Sequence, residues 1–322
     1  MNFKAYPLQF YPILKERIWG GEKLKTFLHK PIVSNITGES WEISTVNNDV
    51  SVISNGEYLG KNLNQLLDLY PKEILGTQIY TKFGKQFPLL FKFLDAKLDL
   101  SIQVHPNDEL AKRRHNSFGK TEMWYVMQAD QDAKIIVGFK ENSNQQDYIQ
   151  NLENKTLLNI LDTKTVKQGD VFFLETGTIH AIGAGTVIAE IQQTSDITYR
   201  VYDFERKDAE GKERELHTDL ALEAINYNKV ETQKIYSTIE NESNKVVDCP
   251  FFTTNFIPLN GKMIFQKNEN YFRVYMCVDG DFEIICNDVK SKYQKGDSIL
   301  IPAAMGTFFM TGKASVLEIY IS

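Results

Sequence analysis

Eight polar residues spread between positions 101 and 200 are of types that could build one reactive centre. In Leu100-Ser101-Ile102-Gln103-Val104-His105-Pro106, a strand would alternate its side chains. Ser101, Gln103 and His105 then share one face, with Ile102 and Val104 on the other. In Lys120-Thr121-Glu122-Met123-Trp124, an extended chain puts Lys120 and Glu122 on one face. His180 follows a glycine-containing bend at Gly177. Gln103, His105, Glu122 and His180 together offer two imidazoles, one carboxylate and one amide oxygen. Zinc takes nitrogen and oxygen ligands and keeps an open position in catalytic sites, and these ligand types also suit iron or manganese. Taken singly, each residue reads as an ordinary surface or core side chain, and only the joint pattern points to a metal. His29, His115 and His217 lack comparable partners and read as structural. Further on, Glu190 lies ten residues after His180, and Arg200 lies ten after Glu190. Arg200 shares a strand face with Tyr202 and Phe204, where it either pairs with a carboxylate or binds an anion.

These residues need β elements to hold them. Short runs rich in Val, Ile, Phe and Tyr predict strands over 98–104, 123–127, 134–139, 170–174, 187–192, 198–204, 272–278, 282–286 and 298–301. Helical pattern covers 63–70, stopped or kinked by Pro71, and also 108–114, 144–161 and 218–225, with Thr218 as an N-cap. The fold class is mainly β with helical insertions.

An internal repeat organises the strands. Trp124–Met127 with Lys134–Val137 resembles Val274–Cys277 with Glu283–Cys286, and Asp279-Gly280 predicts a tight hairpin turn in the second copy. A Gly-Asp turn follows each pair, at Gly169-Asp170 and Gly296-Asp297. The first copy is longer, and the predicted helix over 144–161 fills most of the difference. Both copies resemble the cupin (jelly-roll) barrel, whose second motif runs Gly, five residues, Pro, one residue, Gly, two residues, His. The first copy reads Gly169, Glu175, Gly177 and His180, with Glu175 in place of proline. The second reads Gly296, Pro302, Ala304 and Thr307, and the hairpin alignment sets Phe272 against Glu122. The first barrel therefore keeps its ligands and the second has lost them. The polar stretch 229–248 marks the junction, giving a catalytic metal-binding domain over 1–235 and a degenerate barrel over 236–322.

The net charge of −6 argues against broad nucleic-acid binding, which needs clustered Lys and Arg. The longest apolar tract, 299–310, is interrupted by Pro302 and Gly306 and is too short to span a bilayer. No signal peptide is read at the N-terminus. Cys249, Cys277 and Cys286 form neither a disulfide framework nor a metal motif, which fits a reducing, cytoplasmic setting.

Over residues 10–227 the chain resembles the type I mannose-6-phosphate isomerases of the short bacterial form. The resemblance rests on Trp19-Gly20-Gly21, Gly38-Glu39-Ser40-Trp41-Glu42, the Ser101/Gln103/His105-Pro106 strand, Lys120-x-Glu122, Gly177-x-x-His180, and Glu190 with Arg200. The Gln-x-His and Lys-x-Glu pairs are specific to that family, because ordinary cupins carry a second histidine where Gln103 falls. The resemblance implies one Zn2+ per chain held by Gln103, His105, Glu122 and His180. It implies catalytic roles for Lys120, Glu190 and Arg200, with Lys120, Ser101 and Arg206 as phosphate contacts of a small sugar phosphate. The implied reaction converts mannose 6-phosphate to fructose 6-phosphate through a cis-enediol, with Glu190 or Lys120 carrying the proton. Two other classes remain open on the residues alone. A non-haem iron oxygenase would consume oxygen, and a sugar-binding cupin would bind without turnover.

Overall fold

The computed structural model describes residues 3–207 and 210–321. The main strands of the first part are β1 (Ile13–Gly21), β2 (Thr37–Ile43), β3 (Leu89–Ala96), β4 (Ile102–Val104), β5 (Glu122–Ala129), β6 (Lys134–Phe139), β7 (Leu161–Thr165), β8 (Val171–Leu174), β9 (His180–Ile182), β10 (Thr186–Gln193), β11 (Tyr199–Tyr202) and β12 (Gln233–Lys234). They form a seven-stranded sheet in the order β12-β8-β5-β10-β3-β2-β1 and a five-stranded sheet in the order β7-β6-β9-β4-β11. The second part contains β13 (Asn244–Asp248), β14 (Thr253–Phe265), β15 (Arg273–Cys286), β16 (Val289–Gln294), β17 (Ser298–Ile301) and β18 (Phe308–Tyr320). These make one sheet in the order β13-β14-β18-β15-β16, with β17 also paired to β15. The architecture is mainly β, as expected. The chain leaves the seven-stranded sheet after Lys234 and enters the last sheet at Asn244, so the expected 235/236 division falls within this passage.

The helices follow their capping chemistry. α1 (Leu63–Leu69) opens with a reciprocal capping box between Asn62 and Gln65, and α2 (Pro71–Leu75) restarts at Pro71 before α3 (Thr77–Phe83). α4 (Asp108–His115) is capped by Asn107, carries acids in its first turn and bases in its last, and ends on left-handed Asn116. The Lys112–His115 stretch is thus a helix end. α5 is shorter than expected, Gln145–Glu153, and a 3-10 turn over Leu157–Asn159 precedes β7. In α6 (Thr218–Ala224), Thr218 is the first helical residue and His217 occupies the N-cap, so Thr218 does not cap.

The predicted hairpin at Asp279-Gly280 does not form. β15 continues through it, and both of its halves pair with β18, with a bulge between Cys277 and Asp279. Gly280 has φ +72°, and a Cβ there would lie 2.2 Å from the Lys313 carbonyl oxygen, so glycine permits a bend pressed against a neighbouring strand. β5 and β6 likewise do not pair with each other but lie in different sheets. In the first copy the supposed hairpin is a passage between two sheets, and in the second it is a bulged bend within one strand. Cys277 accordingly faces Val316, and Arg273 faces Ile301.

The repeat itself survives in the pairing. β5 pairs with β8 and β10 while β6 pairs with β7 and β9, and the two halves of β15 pair with β17, β16 and β18 in the same pattern. The ladders correct the alignment. Gly169 donates to the Val126 carbonyl and Gly296 to that of Cys277, which sets Glu122 against Arg273 and not Phe272. Thr165 faces Lys134 as Lys292 faces Glu283, and Ile188 faces Val126 as Val316 faces Cys277, so Val137 corresponds to Cys286 and His180 to Phe308, not Thr307. Phe265 faces Phe308 as Gln103 faces His180, so Phe265 replaces Gln103, and Lys267, two residues on, falls at the place of His105. The second copy holds none of the four candidate ligands, and its lumen is filled by side chains such as Phe265, Tyr275, Phe308 and Met310.

A continuous core joins the outer face of β3, β5 and β10 to that of β14, β15 and β18. Phe272 is fully buried with its ring 4.9 Å from that of Phe87. Replacing it with alanine is expected to cost about 3–5 kcal/mol, read as a lower urea midpoint, with kcat of the folded fraction retained because Phe272 does not line the active-site cleft.

Candidate active site

The loop after β4 explains how distant residues meet. His105 follows β4, α4 is an excursion, and the Lys120 amide returns to the Pro106 carbonyl at 3.3 Å. The Gly177 amide donates to the His105 carbonyl at 2.9 Å. Gly177 has φ +89°, and a Cβ would meet the Ala224 carbonyl oxygen at 2.8 Å, so this glycine lets the bend fit beneath α6 just before His180.

Two sheets face each other across the result. In the five-stranded sheet, His180 is paired with Gln103 and Gln103 with Arg200, one row across three strands. In the seven-stranded sheet, Lys92 is paired with Glu190 and Glu190 with Trp124, while Glu122 opens β5. Glu122 bridges the layers. Its Oε1 lies 3.4 Å from His180 Nε2 and its Oε2 lies 3.5 Å from His105 Nε2. Ligand atoms of His105, Glu122 and His180 all lie within 4.8 Å of one another, and all three residues are buried. Gln103 adds its amide, 3.3 Å from His180 Nε2. The amide orientation is set by the surrounding hydrogen bonds, and a flip would present Oε1 at the same place.

This cluster fits a cation. Both imidazoles donate Nδ1–H to backbone carbonyls, His105 to Ile197 at 2.9 Å and His180 to Thr178 at 2.8 Å. That fixes the tautomer and leaves the Nε2 lone pairs converging, as carbonyl-anchored histidine ligands do. Both Glu122 carboxylate oxygens are buried without an accepted hydrogen bond, which would be costly unless a cation served them. The Lys120 ammonium partly fills that need, 2.8 Å from Glu122 Oε2 and 3.0 Å from His105 Nε2. Burial, with Lys120 adding to it, keeps both histidines neutral, His180 being lowered to about 4. Burial raises Glu122 to about 7 against the pull of Lys120. A cation would reverse that cost.

Around the cluster lies a cleft of about 590 Å³ lined by Ser101, Gln103, Lys120, Glu190, Arg200 and Arg214, with Trp19, Trp41 and Lys92 among its other walls. Glu190 is buried and held at both oxygens, by Lys92 Nζ at 2.9 Å and Trp124 Nε1 at 3.1 Å, with Lys120 Nζ at 4.0 Å. Burial opposes its ionisation, but Lys92 and Lys120 outweigh it and hold the carboxyl below its usual range. For Lys120 itself, burial disfavours the charge, yet Glu122 and Glu190 raise its pKa. Arg200 is half-buried, donates Nη1–H to the Glu215 carbonyl at 2.7 Å, and has a buried Nε without a partner.

The structure therefore brings Ser101, Gln103, His105, Lys120, Glu122, His180, Glu190 and Arg200 to one place. Arg206 is not among the cleft-lining residues. It pairs with Asp203 at 3.0 Å and lines an adjacent, smaller pocket. Sequence reasoning missed Lys92 and Arg214. The signal for Lys92 was available: one lysine inside the otherwise apolar Leu89–Leu94 run. Trp41 also lines the cleft, between the Lys15 and Lys92 ammonium groups at 5.1 and 5.0 Å from its ring.

The model for the type I phosphomannose isomerase catalytic domain matches residues 8–149, and that for the mannose-6-phosphate isomerase cupin domain matches 242–321. Mannose-6-phosphate isomerase ManA of Bacillus subtilis (strain 168) is 37% identical over 97% of this chain and 98% of its own. The chain belongs to the type I mannose-6-phosphate isomerase family. A crystal structure of the Bacillus subtilis mannose 6-phosphate isomerase superposes with a TM-score of 0.89 at 31% identity, covering 98% of this chain and 99% of that one. The fold is shared more widely. A mannose 6-phosphate isomerase structure described as bound with zinc and yttrium matches with a TM-score of 0.81 at 16% identity, over 99% of this chain and all of the other. Family members are isomerases, so the cleft is an enzyme's, and the oxygenase and binding-only classes fall away. Among the described residues, no helix is long and apolar enough to cross a membrane.

Proposed function

We propose that this protein interconverts mannose 6-phosphate and fructose 6-phosphate by proton transfer through a cis-enediol, using Zn2+ held by Gln103, His105, Glu122 and His180. The observation that carries this is the buried Glu122 carboxylate, met only at Oε2 by Lys120, facing two converging imidazole nitrogens beside a cleft lined with cations. Two nitrogens and a carboxylate oxygen, with an amide oxygen as fourth donor, suit zinc with room left for a substrate. The relative described as bound with zinc supports the choice of metal. When bound, the metal supplies Lewis-acid polarisation of the sugar's oxygens.

The chain's own residues do the rest. Glu190, ionised and oriented by Lys92 and Trp124, is placed to accept a carbon-bound proton. Lys120, protonated 4.0 Å away, is placed to donate to or accept from an oxygen. Either can carry the proton between the two carbons, and the pair keeps it local. Arg200, next to Gln103 in the strand row, offers its unpartnered Nε–H to the negative charge that develops on the enediolate. Ser101 and Lys120 line the same cleft and are proposed phosphate contacts.

Mannose 6-phosphate conversion, followed by a coupled assay for fructose 6-phosphate, tests the reading. Chelation is expected to remove activity to below about 1% of the starting rate, and stoichiometric zinc to restore it. Full turnover by protein shown to be metal-free by elemental analysis would overturn it.

A further inference from the structure

The cationic side of the cleft contains a residue with no role so far. Arg214 lines the cleft and is held by a fork. Its Nε and Nη2 donate to the two oxygens of Asp203 at 2.7 and 2.6 Å. Asp203 is buried, 5% exposed, and it also takes Nη2–H of Arg206 at 3.0 Å. Nη1 of Arg214 has no partner among the described residues. Beside it, Arg200 grips the Glu215 carbonyl, one residue along the chain from Arg214, and keeps a buried Nε unpaired. Two guanidinium groups, of Arg214 and Arg206, therefore bond one buried carboxylate, with that of Arg200 close by. Like charges held this close cost free energy in a partly buried setting, and burial together with Arg214 and Arg206 presses the Arg200 pKa down. Such an arrangement is balanced by a dianion.

The position of Arg214 matches one end of the substrate. His180, Gln103 and Arg200 stand in a row of paired strands. The backbone of Arg200 then exchanges two hydrogen bonds with His217, at 3.1 Å to its Nδ1 and 2.7 Å from its amide. The segment carrying Arg214 thus runs beside β11, roughly two strand spacings from Gln103, or about 10 Å. That is the reach of an open six-carbon sugar from its carbonyl end to a terminal phosphate.

We infer that Arg214, braced by Asp203, is the anchor for the substrate's phosphoryl group, a role that the sequence resemblance implied for Arg206. This rests on the sugar-phosphate reading above. A guanidinium already oriented by a carboxylate loses little freedom when it meets a second anion, so its fork is ready for phosphate. Arg214 borders both the cleft and the adjacent pocket, whereas Arg206 shares Asp203 but borders the adjacent pocket, where it supports the brace.

The experiment compares zinc-loaded wild type, R214A, R214K and R206A. R214A is expected to raise KM for mannose 6-phosphate about 10- to 100-fold while kcat stays within about threefold, because phosphate binding is equal in ground and transition states. R214K, which keeps charge but not the fork, should fall between. Inorganic phosphate, titrated by calorimetry, should bind R214A and R214K more weakly than wild type in the same order. R206A should shift both readouts less than R214A does. A larger shift in R206A than in R214A overturns the assignment, as does a loss confined to kcat. Should R214A fail to fold, R214K with unaltered phosphate affinity also overturns it. The phosphate titration needs no turnover. Failure of the wild type to isomerise mannose 6-phosphate would defeat the proposed function, whereas wild-type phosphate affinity retained in R214A would defeat only this inference.

Discussion

Glu122→Gln is expected to lose its metal and nearly all isomerase activity while keeping its strand signal in circular dichroism. Glu122 is the only carboxylate in the cluster, and it links the two sheets through His180 and His105. Its oxygens are completely buried, and within the chain only the Lys120 ammonium, 2.8 Å from Oε2, offsets their charge, so an amide gives up that ion pair together with the charge a metal would need. A glutamine removes the negative charge that offsets a dication among two neutral imidazoles. Changes to groups that merely orient metal ligands cost about 10- to 100-fold in affinity or activity, and losing the ligand itself should cost more. Elemental analysis and the coupled assay read this directly. A variant that holds one metal per chain and turns over at the wild-type rate would remove Glu122 from the site.

The second large effect is at Glu190. Glu190→Gln should lower kcat about 10²- to 10⁴-fold, the range that a positioned acid or base contributes, and change KM far less. Shape and hydrogen-bonding positions persist in the amide, but it cannot take a proton. Two lysines would then face a neutral group: Lys92 at 2.9 Å and Lys120 at 4.0 Å. Breaking one side of such a buried pair costs about 3–5 kcal/mol, so Glu190→Gln should also unfold at lower urea concentration. The control is Lys92→Met, which removes the partner without removing the carboxylate. If Glu190 serves as proton carrier, Lys92→Met keeps more activity than Glu190→Gln at comparable stability loss. Equal kcat losses in the two variants would mean that Glu190 acts only as a structural counter-ion.

The structure also shows where reading the chain reaches its limit. Gln103 and His105 were found because strand alternation is local, and Glu122 because it shares a face with Lys120. Lys92 and Arg214 were not, since nothing in their own neighbourhoods says which cavity they enter. Asp279-Gly280 carries the signature of a tight turn, yet its strand runs on. A glycine at positive φ serves a bend as well as a reversal, and only the partner strand β18, present along both halves, decides between them.

Sequence alone determined the mainly β class, the repeated strand pattern, and the residue types of the candidate metal cluster. Those depend on side-chain chemistry and period-two alternation, which are properties of short stretches. Tertiary structure decided the register between the copies, setting Arg273 rather than Phe272 against Glu122, because register belongs to ladders between distant strands. It also decided which cations enter the cleft. Arg206 and Arg214 have the same chemistry and both reach Asp203, and the direction in which the chain folds back onto β11 separates them. The −6 net charge says nothing about this local excess of cations, which arises only when residues more than a hundred positions apart are packed around one cavity.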